Sequence, residues 1–271
     1  MNESSANGRA QIAQAFTKAL NNRTAALMPY YTLGYPDRET SLGIIEAIAE
    51  ESDLLELGVP FSDPLADGPT IQHSTQVSLE NGTTEAGSLE MVSEMRHRGV
   101  GTPICLMGYY NPILAYGLER FVRDAKDAGV QGFIVPDLPP EEASELAKEA
   151  SGLGLAYIYF LAPTSSMDRI EQVTDQAQGF IYLVSVTGVT GARQSLQSDL
   201  AEFVERVRSR STAPLAIGFG ISTPAHAASV AQLADGVIVG SALINAVNAN
   251  DTDKPSAAAA FVHALQVSLN K

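Results

Sequence analysis

Residues Leu54–Gln72 read LLELGVPFSDPLADGPTIQ. The stretch begins as an apolar, β-rich run with one carboxylate inside it, Glu56. It then becomes a Pro/Gly loop carrying two more, Asp63 and Asp67, with no Lys or Arg. A buried, unpaired charge costs several kcal/mol, so a glutamate among leucines needs a reason. Alternate residues of a strand share a face. Glu56 therefore goes with Leu54 and Gly58, and Leu55 and Leu57 take the opposite side.

The same alternation of strand and helix runs outward through the chain. Short β-rich runs occur at 25–34, 53–60, 103–111, 132–137, 156–163, 179–186, 214–220 and 236–242. Helical spacing appears between them, as in RETSLGIIEAIAEE, SLEMVSEMRHRG, GLERFVRDAKDAG and DLAEFVERVRSR. An extra helix is expected around AQIAQAFTKALNN, and KPSAAAAFVHALQVSLN forms the last one. Strand and helix repeated eight times over 271 residues predict a (β/α)8 TIM barrel. Continuous apolar strands fit a parallel sheet buried on both faces. No composition break or low-complexity linker divides the sequence, so residues 1–271 read as one domain. AGVQGFIVPD and LADGVIVGSA echo each other, as repeated βα units do. A doubly wound sheet is the competing architecture, but its first strand usually leads into a Gly-rich turn; here it ends TLGYPD.

Lys and Arg number 17 and Asp and Glu 31, a net charge of −14. Such acidity argues against nucleic-acid and anionic-membrane partners. A phosphorylated small molecule remains compatible, because backbone N–H groups at helix N-termini bind phosphate without basic side chains. Cys105 is the single cysteine and lies in the apolar run PICLM, so it reads as a buried core thiol. No apolar run approaches the roughly 20 residues of a membrane span. The N-terminus lacks the pattern of a secretory signal, and a cytoplasmic protein is expected.

In a TIM barrel the active site lies at the C-terminal ends of the strands, which ranks the polar residues. A Glu56 pointing inward would sit in an apolar pocket with a raised pKa, suited to giving and taking a proton; the ordinary alternative is a solvent-facing or Arg-paired glutamate. Asp67, on the loop leaving that strand, would face Glu56 across a ligand, so that the two carboxylates take different roles; Asp67-Gly68 is otherwise a common turn pair. A glycine-rich cluster follows the late strands: Gly191 in VTGVTGA, Gly220 in IGFGIS, and Gly240 with Ser241 in VIVGSALI, where a short helix opens. Bare backbone there suits phosphate, although tight βα turns would also use glycine. Tyr182 in the sixth run, Tyr30 in the first and Tyr109 in the third are candidates to line a pocket for a flat ring, or simply core. His73, His97, His226 and His263 have no metal-ligand spacing, and no G-x-S-x-G elbow occurs. The residues alone point to a metal-free enzyme using carboxylates on a small phosphorylated substrate.

The unbroken run LELGVPFSDPLADGPTIQ closely resembles the signature of the tryptophan synthase alpha subunit family. MPYYTLGYP, LMGYYNPIL, GFIVPDLP, YLVSVTGVTGAR, IGFGIS and VIVGSALI extend the resemblance across nearly the whole chain. It implies a TIM barrel with an extra N-terminal helix and a short phosphate-binding helix after strand eight. It also implies retro-aldol cleavage of indole-3-glycerol phosphate to indole and glyceraldehyde 3-phosphate, in tryptophan biosynthesis and without a cofactor. By motif position Glu56 would be the general acid/base, and Asp67 would hold the indole N–H. Tyr182 would pack near them, and Tyr30, Met107, Tyr109 and Ile134 would line the indole pocket. Gly191, Gly220, Gly240 and Ser241 would hold the phosphate. The family works as an αββα complex, with pyridoxal phosphate confined to the beta subunit. Asp63 and Pro64 are expected to contact that partner, and the loop 187–197 to close over the site. The sequence departs from the family pattern at Leu33, Tyr35 and Gln197, positions that bear on loop rigidity rather than on the acid/base pair. The alternatives are a stand-alone lyase on the same substrate, another phosphosugar barrel such as an isomerase, and a non-catalytic activator of a beta subunit. Turnover with and without a beta subunit discriminates the first and the last.

Overall fold

The computed structural model describes residues 7–184, 193–218 and 220–269. Eight parallel strands close into one barrel in chain order. They are β1 (Ala26–Thr32), β2 (Leu55–Gly58), β3 (Ile104–Met107), β4 (Gly132–Ile134), β5 (Ala156–Leu161), β6 (Ile181–Val184), β7 (Leu215–Gly218) and β8 (Gly236–Val239). The TIM-barrel reading therefore stands, and the doubly wound sheet is excluded. Nearly every strand residue is buried, because the barrel fills one face and the helices cover the other.

The helices are α1 (Gly8–Asn21), α2 (Arg38–Ala49), α3 (Pro69–Glu80), α4 (Glu85–His97), α5 (Tyr110–Tyr116), α6 (Leu118–Ala128), α7 (Ser144–Gly152), α8 (Met167–Gln176), α9 (Arg193–Arg208), α10 (Pro224–Ala231), α11 (Ser241–Asn248) and α12 (Lys254–Ser268). The expected extra N-terminal helix is α1. It carries Phe16 to within 5.5 Å of the ring of Phe180, just before β6, so its apolar face stops the N-terminal end of the barrel. The expected short helix after the last strand is α11. Among the described residues no helix is long and apolar enough to cross a membrane.

Two elements differ from the sequence expectation. α3 begins inside the stretch read as a Pro/Gly loop and is a helix that the apolar spacing did not mark; its buried positions are Ser74, Thr75 and Ser78. The third strand stops at Met107, so Tyr109 lies beyond it and precedes α5. Asp137, after β4, holds the start of α5, both its carboxylate oxygens accepting from the Tyr110 amide, at 3.0 and 3.2 Å.

Candidate active site

The ladder sets the direction of Glu56. It pairs with Tyr30 of β1 and Cys105 of β3, so these three side chains share the inner face of the barrel. Leu55 and Leu57 take the outer face and are fully buried there. Glu56 is 3% exposed, and its Oε2 has no hydrogen-bond partner. Burial, and then the neighbouring charge of Asp67, raise its pKa to about 8. Burial also pushes the Cys105 thiol up, which keeps it inert.

Asp67 stands on the turn between β2 and α3, where its amide donates to the Pro64 carbonyl at 3.1 Å. Its Oδ2 accepts from the Tyr109 hydroxyl at 3.0 Å, and that hydroxyl oxygen accepts from the Ala66 amide at 3.1 Å. Tyr109 thus clamps both the carboxylate and the backbone before it. Burial raises Asp67 to about 6, against the opposing pull of the Tyr109 bond. Near pH 7 the two carboxyl groups therefore differ: Glu56 keeps its proton and Asp67 is mostly ionised.

Both open onto a cavity of about 270 Å³ at the C-terminal end of the barrel. Tyr30, Met107 and Tyr182 line it with Glu56 and Asp67, and Gly220, Gly240 and Ser241 line its other end. Tyr182 packs on Phe160 with ring centroids 4.7 Å apart. No side chain caps the N-terminus of α11 at Gly240, so the amides that open this helix are available to an anion. No Lys or Arg lines the cavity among the described residues.

Other candidates fall elsewhere. Tyr109 acts on Asp67 from outside the cavity, and Ile134 is fully buried without lining it. Gly191 lies outside the described residues, as does 187–192 of the expected closing loop. Asp63 is exposed and Pro64 half-buried at the surface, next to Leu65, which is 88% exposed. His73 is on α3 with its ring edge towards Tyr35, and no metal-binding group of His, Cys, Asp or Glu forms among the described residues.

Sequence reading missed Phe160, Ser222 and Asn245, all of which line the cavity. A usable signal existed for Asn245. It follows Ser241 by one helical repeat of four, which puts both on one face of α11. Phe160 carried none, because an aromatic in an apolar strand reads as core.

The family model for the tryptophan synthase alpha chain matches residues 16–270. A tryptophan synthase alpha chain from Chloroflexus aurantiacus is 50% identical over 257 residues, covering 94% of this chain and 97% of its own. One from Geobacter sulfurreducens is 51% identical over 235 residues, covering 86% and 89%. Among solved structures, tryptophan synthase subunit alpha from Legionella pneumophila superposes with a TM-score of 0.88 at 36% identity, covering 96% of this chain and 98% of that one. A chain of tryptophan synthase from M. tuberculosis gives 0.86 at 34% identity, covering 96% and 99%. The chain belongs to the tryptophan synthase alpha chain family.

Proposed function

We propose that this chain cleaves indole-3-glycerol phosphate to indole and glyceraldehyde 3-phosphate, a carbon–carbon lyase reaction run by its own carboxylates without a cofactor. The observation that carries the reading is Glu56, buried in the barrel mouth, unpartnered at Oε2 and facing the same cavity as Asp67. Glu56 gives its proton to ring carbon C3. The positive charge that results spreads to the ring nitrogen, where Asp67 accepts the N–H and stabilises it. The Glu56 carboxylate then takes the proton from the hydroxyl on the carbon attached to C3. The bond between that carbon and C3 breaks, its electron pair restores the neutral indole, and the carbon becomes the aldehyde. Glu56 ends protonated, ready for the next turnover. The phosphate is assigned to Gly220, Gly240 and Ser241 at the α11 N-terminus, with Gly191 added by motif position.

The same reading includes a beta subunit that holds pyridoxal phosphate and converts the indole to tryptophan, in an αββα assembly in the cytoplasm. Leu65, 88% exposed beside Asp63 and Pro64, supports a protein contact at this loop. The test is indole release from indole-3-glycerol phosphate by the purified chain, with and without a beta subunit. Slow release alone and fast release together are expected. Fast release alone would favour a stand-alone lyase, and none in either condition would defeat the reading.

A further inference from the structure

Tyr30 lines the cavity between Gly58 and Gly240. Its ring base lies against Gly240, where a Cβ would come within 3.2 Å of Cδ1, and its hydroxyl reaches over Gly58, where a Cβ would collide with it. The residue thus runs from the phosphate end to the strand of Glu56, along the part of the cavity left for the middle of a substrate.

Its hydroxyl belongs to a buried chain. The Tyr30 and Thr32 hydroxyls are 3.3 Å apart, and those of Thr32 and Ser74 2.7 Å. Ser74 on α3 donates to the Ile71 carbonyl at 2.9 Å. Each hydroxyl has one proton. With the Ser74 proton on Ile71, the arrangement that satisfies every contact has Thr32 donating to Ser74 and Tyr30 donating to Thr32. All three protons are then used inside the protein, and the most acidic hydroxyl is a donor. The Tyr30 oxygen is left with its lone pairs for the cavity. Thr32 and Ser74 are fully buried and have no route to a ligand of their own.

We propose that Tyr30 is a substrate-binding residue that accepts a hydrogen bond from a hydroxyl of the substrate's glycerol chain, and that Thr32 and Ser74 are positioning residues that aim it. The proposal rests on the lyase reading above. It gives a task to Ser74, one of the three hydroxyl residues that α3 buries.

The test compares wild type with Tyr30→Phe, Thr32→Val, Thr32→Ser and the double variant Tyr30→Phe/Thr32→Val. Two readouts are used: kcat/KM for indole-3-glycerol phosphate, and the affinity of an indole alkyl phosphate without chain hydroxyls. Loss of one neutral hydrogen bond lowers kcat/KM about three- to tenfold. Tyr30→Phe and Thr32→Val should each show that loss, the double variant no more than either, and Thr32→Ser close to none. The hydroxyl-free analogue should bind all of them as it binds wild type. A Thr32→Val loss that persists undiminished in the Tyr30→Phe background overturns the relay. Analogue affinity falling as far as substrate kcat/KM overturns the hydroxyl contact. Inactive wild type overturns the lyase reading itself, whereas active wild type with unaffected variants overturns this proposal alone.

Discussion

Glu56 and Asp67 share a cavity and differ in surroundings, and that difference has two measurable consequences. The proposed chemistry needs Glu56 protonated and Asp67 ionised, so kcat/KM should form a bell with limbs near pH 6 and pH 8. In Asp67→Asn the acid limb should vanish, and the alkaline limb should move down, because the charge that helps raise Glu56 is gone. A pH profile of both proteins checks this, and an unmoved alkaline limb would separate it from Glu56. The second consequence is on stability. The folded-state pKa of Glu56, about 8, lies above its ordinary 4.5, so between those values the folded state binds more protons than the unfolded one. Its contribution is intact below about pH 4.5 and drains away as the pH rises through 8. Glu56→Gln should therefore abolish cleavage yet gain stability over wild type, by little at pH 5 and by a few kcal/mol at pH 8.5, since each pKa unit is worth about 1.4 kcal/mol. Urea unfolding at the two pH values measures it; a constant difference would mean an ordinary pKa. The face of Glu56 was legible, because alternation sets it opposite Leu55 and Leu57, but the sequence left open whether that face met the barrel interior or solvent. The clamp on Asp67 was not legible: Tyr109 sits 42 residues away in sequence, next to a strand whose apolar pattern runs on through it.

At the scale of elements, helices with apolar stripes were readable and α3 was not. Hydrophobic periodicity finds a helix by the carbon it buries, and α3 buries Ser74, Thr75 and Ser78. Its start was nonetheless written in Gly68-Pro69, since proline is favoured in the first turn of a helix. A second element-level device was equally invisible. Arg96 of α4 spends all five N–H groups on the loops at the N-terminal end of the barrel. Nε and Nη2 donate to the Gly129 carbonyl, Nη1 to those of Val100 and Thr102, and Nη2 also to Gln131 Oε1. Gln131 Oε1 in turn accepts from the Ile104 amide at the start of β3. Burial brings the guanidinium pKa down to about 10, so it stays charged at neutral pH. Lysine keeps the charge with three donors and no fork. Arg96→Lys should cost about 2–3 kcal/mol of folding stability, on the scale of one or two charged hydrogen bonds, and leave the pH limits of catalysis unmoved. A loss below about 0.5 kcal/mol in urea unfolding would reduce Arg96 to an ordinary surface residue.

At the scale of the whole molecule, the barrel solves a conflict between charge and ligand. The chain carries a net charge of −14, and the proposed substrate is itself a phosphate. Among the described residues lining the cavity there is no cation to offset this. In the proposed site, attraction comes at short range from the backbone at the ends of β7 and β8 and the start of α11. Long-range and short-range electrostatics therefore have opposite signs for an incoming substrate. Salt screens the first far more than the second, because the Debye length is about 8 Å at 0.15 M while the proposed phosphate contacts are direct. Raising potassium chloride from about 10 to 150 mM should thus increase kcat/KM, by roughly two- to threefold, through weaker repulsion of the approaching anion. A phosphate site built from Lys or Arg would respond the other way. Steady-state rates at fixed pH across that range decide it, and a falling kcat/KM would mean that a basic side chain reaches the phosphate in the working enzyme.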